Sequence, residues 1–178
     1  RIGRAIAKIN EKNKIFDLVL INDINPYPEN LAYLFKYDST YGKFDGDVFH
    51  KDEEIVINKN KSRYSSYAYL AEIPWDDLSI DLLIDCSGIS KNIADGKSLI
   101  QEKKFKKMIV TNSYKDVDNE IIMGVNDNEL SFNDNVVSNS ICDANAIAHI
   151  MKWLDEEFGI LGGSVTTLHP WLAYQNLV

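Results

Sequence analysis

The sequence predicts an α/β protein in which helices alternate with the strands of a mostly parallel sheet. Two apolar runs, Phe16–Ile21 and Ile80–Cys86, each follow polar segments, and a third run, Met108–Thr111, follows a helical pattern. Each run is too short for a typical helix and is bounded by polar residues, as expected of strands that are buried on both faces. Strands that alternate with helices favour a parallel sheet with helices on both faces.

The overall charge limits the classes of partner. The 178 residues include 27 Asp and Glu against 19 Lys and Arg, a formal charge of −8. Nucleic acid and anionic membrane surfaces both attract a basic protein, so neither is expected as the main partner. No apolar run approaches the roughly 18 residues of a membrane span. Only two cysteines occur, Cys86 and Cys142, which suits a reducing compartment. We therefore expect a cytoplasmic globular protein.

The first half of the chain contains four predicted elements. Apolar residues at helical spacing predict a helix over 1–10, and the run Phe16–Ile21 predicts the strand that follows it. The pattern of residues 29–36 indicates a second helix. Alternating residues between Val48 and Ile57 predict strands of an insertion.

The second half repeats the alternation and then changes in character. The strand Ile80–Cys86 is followed by a predicted helix over 92–102 and by the strand Met108–Thr111. From Ser138 onward, the pattern predicts a long amphipathic helix over 142–157 that stops at Gly159.

A last strand, Ser164–Leu168, is predicted after Gly162 and Gly163. We place a domain boundary near residue 141, which gives a first domain over 1–141 and the start of a second over 142–178. The chain opens inside a helical pattern and ends without a cap, so we expect a fragment of a longer protein.

A dinucleotide site is indicated by Gly3 and Asp23. A dinucleotide-binding fold places glycine at the start of its first helix, whose N-terminus binds the pyrophosphate, and an acid after its second strand, which binds the ribose. Asp23 follows Gly3 by 20 residues and comes directly after the strand Phe16–Ile21. An Asp after a strand is also a common turn residue, so the pattern leaves both interpretations open.

A nucleophile is indicated by Cys142 and His169. Cys142 lies at the predicted N-terminus of a helix, where the helix dipole and unbonded N–H groups stabilise a thiolate. His169 follows the last predicted strand and could bring an imidazole to that sulfur. The alternative is that Cys142 is a small buried residue and His169 a turn residue before Pro170. No His, Cys, Asp and Glu set shows metal-ligand spacing, so no metal site is expected.

Several motifs follow one another as in a known family. Residues 1–4 (RIGR) look like the end of a Gly-Phe-Gly-Arg-Ile-Gly-Arg fingerprint, and residues 37–44 (YDSTYGKF) are similar to Tyr-Asp-Ser-Thr-His-Gly-Lys-Phe. Residues 123–126 (MGVN) are identical to the family motif. Residues 138–145 (SNSICDAN) resemble Ser-Asn-Ala-Ser-Cys-Thr-Thr-Asn, and residues 166–169 (TTLH) resemble Thr-Thr-Val-His. The chain thus resembles the glyceraldehyde-3-phosphate dehydrogenase family.

The resemblance implies a fold and a cofactor. Residues 1–141 would form a Rossmann-type NAD-binding domain whose N-terminal strand precedes the chain, and residues 142–178 would begin an α+β catalytic domain that is truncated. The fragment by itself would be inactive, and the whole protein would be a homo-oligomer, a tetramer as in the family. The cofactor would be NAD, bound by Arg1, Ile2, Gly3, Asp23, Ser87, Gly88, Thr111 and Asn145.

The resemblance also implies a reaction. Cys142 and His169, 27 residues apart, match the family's catalytic pair. Cys142 would attack a small-molecule aldehyde to give a thiohemiacetal, and His169 would accept the hydroxyl proton. Transfer of hydride to the nicotinamide would leave a thioester, which phosphate or water would then release as the acid product.

The departures from the family pattern fall at its phosphate-binding positions. Ile141 and Asp143 stand on either side of Cys142 where the family has hydroxyl residues, and Leu172 and Tyr174 replace a Thr and an Asp. Each loss of a charge-assisted hydrogen bond costs roughly 1.5–3 kcal/mol. The pattern therefore favours a less phosphorylated substrate, such as a sugar aldehyde, over triose phosphate. The alternative is a catalytically silent NAD-binding paralogue with a regulatory or scaffolding role.

Overall fold

The computed structural model of the chain describes residues 1–168. Within them lie four α-helices, two four-stranded sheets and a two-stranded ribbon. No helix in this range is long and apolar enough to cross a membrane. The elements in chain order are α1 (Ile2–Asn13), β1 (Leu20–Asn22), α2 (Pro28–Lys36), β2 (Tyr37–Asp38), β3 (Gly42–Lys43), β4 (Val48–Lys51), β5 (Glu54–Ile57), β6 (Asn60–Ser65), β7 (Leu82–Asp85), α3 (Lys91–Gln101), β8 (Lys107–Val110), β9 (Asn119–Glu120), β10 (Val136–Ser138) and α4 (Cys142–Phe158).

An all-parallel sheet with the strand order β7-β8-β10-β9 forms one part of the fold. In its centre Met108 pairs with Leu83 on one side and with Val136 on the other. The side chains of Met108 and Val136 are fully buried, as expected of central parallel strands. The strands predicted at Ile80–Cys86 and Met108–Thr111 are confirmed, each with slightly shorter bounds.

The second sheet is mixed and has the strand order β1-β6-β5-β4. β4 pairs antiparallel with β5, and β5 pairs antiparallel with β6, so the strands predicted between Val48 and Ile57 are confirmed. β6 then pairs in parallel with β1. The predicted insertion is therefore part of the same sheet as the first strand.

The first strand lies later in the chain than predicted, at Leu20–Asn22 instead of Phe16–Ile21. The buried side chain of Asn10 accounts for the loss of Phe16 from the strand. Its Oδ1 accepts hydrogen bonds from the N–H groups of Ile15 and Phe16, both at 3.0 Å, and its Nδ2 donates to the carbonyl of Phe16 at 2.8 Å. These bonds hold residues 15 and 16 in the turn after α1, so they cannot enter the ladder.

The four predicted helices are confirmed. α1 extends three residues beyond the predicted 1–10, and it ends where Lys14 adopts the left-handed conformation with φ 53°. α4 ends at Phe158, and the next residue, Gly159, has a φ of 70°, a value that favours glycine after a helix.

The strand predicted at Ser164–Leu168 is wrong. Residues 159–168 contain neither helix nor strand, and Leu161 and Leu168 are fully solvent-exposed. The backbone N–H and C=O groups of a strand need hydrogen-bond partners on a neighbouring strand. No strand within residues 1–168 provides such partners for residues 164–168. His169 and the residues after it lie outside the described range.

We expect the substitution Gly96→Ala to destabilise the protein although alanine favours helices. Gly96 is buried in α3, and a Cβ at this position would overlap Sδ of Met108 in β8. Overpacking of a core costs about 1–3 kcal/mol, which exceeds the roughly 1 kcal/mol gained in helix propensity. Urea denaturation should show a lower midpoint for Gly96→Ala. The exposed Ser98→Ala on the same helix is the control, and an increase in the stability of Gly96→Ala would contradict this packing.

Candidate functional site

The carboxyl ends of β7, β8 and β10 lie at one edge of the parallel sheet. Because the three strands are parallel neighbours, the residues that follow each of them meet at that edge. Thr111, after β8, donates from its backbone N–H to the carbonyl of Asp85 at 3.1 Å and from its hydroxyl at 3.3 Å. In open α/β sheets this edge is where ligands bind.

The turn after β7 is held by the side chains of Asp85 and Asn92. Asp85 accepts hydrogen bonds from the backbone N–H of Ser87 at 2.8 Å and from Nδ2 of Asn92 at 3.0 Å. Asn92 is buried in α3 and also donates to the hydroxyl of Ser87 at 3.0 Å. Gly88 has a φ of 77°, which other residues adopt only with strain. The predicted pair Ser87 and Gly88 is therefore fixed in a turn at the sheet edge.

Sequence reasoning missed Asp85 and Asn92, which position this turn. A signal was present, because a polar residue at a buried position of a helix needs a hydrogen-bond partner nearby.

The start of α1 packs against the end of β7. A Cβ built on Gly3 would lie 3.7 Å from both Cβ and Sγ of Cys86. The backbone nitrogen of Arg1 lies within the range of charge interactions with Asp23 and Cys86. The structure therefore brings together three of the predicted cofactor-binding segments, namely the start of α1, the residue after β1 and the turn after β7.

This arrangement suits a dinucleotide. The first N–H groups of a helix have no acceptor within the helix and attract anions, and the first turn of α1 contains no acidic residue that would repel them. Asp23 is half-buried after β1 and accepts the N–H of Asn25 at 3.0 Å through Oδ1. It is thus a turn residue, but its second carboxylate oxygen can still accept hydrogen bonds from a ribose.

Cys142 is the first residue of α4, and it is exposed, so the interpretation of Cys142 as a small buried residue is wrong. The turn before it is held by Asn145, whose Nδ2 donates to the carbonyls of Asn139 at 2.8 Å and Ile141 at 2.9 Å. The predicted cofactor residue Asn145 therefore supports the backbone that carries the cysteine. The proposed partner His169 lies outside the described residues.

The residues between β10 and α4 are also fastened to the parallel sheet. The hydroxyl of Ser138 donates to the carbonyl of Asn112 at 2.7 Å and accepts the N–H of Ser140 at 2.9 Å. Ser140 in turn donates from its hydroxyl to Oε1 of Glu120 at 2.6 Å. These bonds fix the cysteine turn relative to the loop after β8, which carries Thr111.

Asp143 lies next to the sulfur. The thiol of Cys142 donates to Oδ1 of Asp143 at 3.4 Å, and the hydroxyl of Thr167 donates to Oδ2 at 3.2 Å. The other thiol, Cys86, is in a different environment, because burial raises its pKa while a hydrogen bond with Thr111 acts in the opposite direction.

Comparison with known proteins identifies the family. Residues 1–93 match the family model described as glyceraldehyde 3-phosphate dehydrogenase, NAD binding domain. The chain belongs to the glyceraldehyde-3-phosphate dehydrogenase family. The predicted Rossmann-type fold and the predicted cofactor NAD are thereby confirmed, and the segments at the start of α1, after β1 and after β7 all lie within the matched range.

Two curated relatives match over the whole chain. Glyceraldehyde-3-phosphate dehydrogenase 1 of Kluyveromyces marxianus is 35% identical over 178 residues, which are 100% of this chain and 53% of the relative. Glyceraldehyde-3-phosphate dehydrogenase of Wickerhamomyces ciferrii is 34% identical with the same coverage. The chain therefore spans about half the length of these glyceraldehyde-3-phosphate dehydrogenases.

We expect Cys142 to react with iodoacetamide and Cys86 to be inert. Only the thiolate reacts. Burial raises the pKa of Cys86 and so disfavours its thiolate, whereas Cys142 is exposed at a helix N-terminus. Peptide mapping of the folded full-length protein after brief labelling near neutral pH measures both sites. Labelling in denaturant, where both thiols should react, is the control, and preferential labelling of Cys86 in the folded protein would contradict the assignment.

Proposed function

We propose that the chain is part of an NAD-dependent oxidoreductase that oxidises an aldehyde through a covalent intermediate on Cys142. The observation that carries the proposal is the position of Cys142, exposed at the start of α4 and separated from β10 only by residues 139–141. β10 is the parallel neighbour of β8, and β8 of β7, so the sulfur lies on the sheet edge that carries Thr111, Ser87 and Gly88. A nucleophile beside a cofactor site suits oxidation of a bound carbonyl compound.

The side chains of Cys142 and His169 and the backbone N–H of Cys142 would each have a role in the reaction. The sulfur of Cys142 bonds to the aldehyde carbon and gives a thiohemiacetal, and the imidazole of His169 takes the hydroxyl proton. The backbone N–H of Cys142, at the N-terminus of α4, faces the oxygen on which negative charge develops. NAD, when bound, supplies the acceptor for the hydride that leaves the thiohemiacetal, so that a thioester remains on Cys142.

The segments that match the family's cofactor-binding residues would hold NAD. The first N–H groups of α1 would bind the pyrophosphate, and Asp23 would accept hydrogen bonds from the adenosine ribose. The turn at Ser87 and Gly88 and the hydroxyl of Thr111 line the same edge. We further propose that the whole protein is a cytoplasmic homo-oligomer.

The substrate we propose is an aldehyde with less phosphate than triose phosphate. Asp143 places a carboxylate 3.4 Å from the sulfur, where it repels an anionic group. Ile141, on the other side of Cys142, is exposed and offers no side-chain donor. A neutral sugar aldehyde would not be repelled by Asp143 and would not need a side-chain donor at Ile141.

We expect the full-length protein to bind NAD more tightly than NADP. A 2′-phosphate would lie against the charge of Asp23, so the substitution Asp23→Ser should shift the ratio of the two affinities toward NADP by about tenfold, or roughly 1.4 kcal/mol. Fluorescence titration with both cofactors measures the ratio. Asp17→Asn, exposed before β1, should leave it unchanged, and equal affinities in the unmodified protein would contradict the role of Asp23.

We expect Cys142→Ser to abolish aldehyde oxidation in the full-length protein and to leave NAD affinity unchanged, because serine lacks the nucleophilicity of a thiolate. NADH absorbance with a panel of phosphorylated and unphosphorylated aldehydes measures the first quantity, and titration with NAD the second. If NAD binds but no aldehyde yields NADH that depends on Cys142, the silent paralogue becomes the correct description.

A further inference from the structure

The carboxylate of Asp143 is fixed at both of its oxygens beside the proposed nucleophile. Oδ1 accepts the thiol of Cys142 at 3.4 Å, and Oδ2 accepts the hydroxyl of Thr167 at 3.2 Å. The side chain is half-buried, and it takes part in none of the ion pairs within residues 1–168. A negative charge that no described cation balances therefore stands where the thioester would form.

The hydrogen bond from the thiol to Oδ1 changes when the sulfur is acylated. Acylation removes the S–H proton, so Oδ1 loses this donor while Thr167 still holds Oδ2. A water molecule that donates to Oδ1 would then lie beside the acyl carbon, because that carbon is bonded to Sγ of Cys142. A group that can take a proton from a nucleophile must be within hydrogen-bond reach of it, and Oδ1 meets this condition.

The same carboxylate disfavours inorganic phosphate. Phosphate carries one to two negative charges near neutral pH, and a carboxylate at such short separation repels it. Water is neutral and has no such penalty. The side chain of Ile141 adds no donor that could offset the repulsion.

We propose that Asp143 makes water, and not phosphate, the group that releases the acyl chain from Cys142. This inference rests on the proposed function, since it concerns the thioester on that sulfur. The water oxygen bonds to the acyl carbon while Asp143 takes one water proton. The C–S bond then breaks, its electron pair returns to sulfur, and the proton passes from Asp143 to the thiolate. The products are a carboxylic acid and the thiol, and no oxidant or phosphate is consumed.

The deacylation step can be tested apart from aldehyde oxidation. p-Nitrophenyl acetate acetylates a reactive cysteine directly, and intact mass spectrometry of the full-length protein follows the loss of the acetyl group. We expect the unmodified protein to lose it at a rate that does not depend on added inorganic phosphate. Asp143→Asn should slow the loss about a hundredfold, within the contribution of a general base, and Asp143→Thr should make it depend on phosphate.

Two further variants serve as controls. Glu156→Gln, exposed on the same helix, should behave as the unmodified protein. Thr167 is a positioning residue in this scheme, so Thr167→Val should slow deacylation, whereas Thr167→Ser should restore it because the hydroxyl is kept. An unchanged affinity for NAD shows that each variant is folded.

The possible results distinguish a failure of the inference about Asp143 from a failure of the proposed function. Acetylation of Cys142 followed by loss that requires phosphate, or an Asp143→Asn protein that deacylates at the unmodified rate, would overturn the inference alone. If p-nitrophenyl acetate does not acetylate Cys142, Cys142 is not the nucleophile. The proposed function and the inference about Asp143 would then both be refuted.

Discussion

Parallel strand pairing in the sheet β7-β8-β10-β9 is the constraint on which the site depends. The buried side chains of Met108 and Val136 fix neighbouring strands in register, so the residues after β7, β8 and β10 all emerge at one edge. Hydrogen bonds from Thr111 to Asp85 and from Ser138 to Asn112 then fasten these ends to one another. The positions of the proposed cofactor and nucleophile groups follow from this pairing.

Sequence reasoning predicted the parts of the fold that have a strong local pattern. The four helices show a helical period, and the strands within Ile80–Cys86 and Met108–Thr111 are short apolar runs bounded by polar residues. The candidate site was found for a different reason, because short motifs such as RIGR at 1–4 and SNSICDAN at 138–145 resemble a family. Periodicity alone did not decide between a functional and a purely structural role for Asp23 and for Cys142.

The features that were missed depend on tertiary contacts. β9 and β10 have two and three residues, which is too short for any alternation to be visible. Phe16 is kept out of β1 by the side chain of Asn10, which hydrogen-bonds to the backbone of residues 15 and 16. Hydrophobic periodicity in the sequence does not reveal such a bond. The predicted strand Ser164–Leu168 had the right composition but has no partner strand within the described residues. The contact of Asp143 with Thr167 likewise joins segments 24 residues apart.

Hydrogen exchange of the full-length protein with and without NAD tests most directly whether the cofactor and the nucleophile share one edge of the sheet. We expect NAD to slow exchange in peptides that cover the start of α1, the turn after β7, the loop after β8 and residues 138–146, while exchange in β4 and β5 stays unchanged. Protection confined to β4 and β5, with none around Cys142, would contradict it.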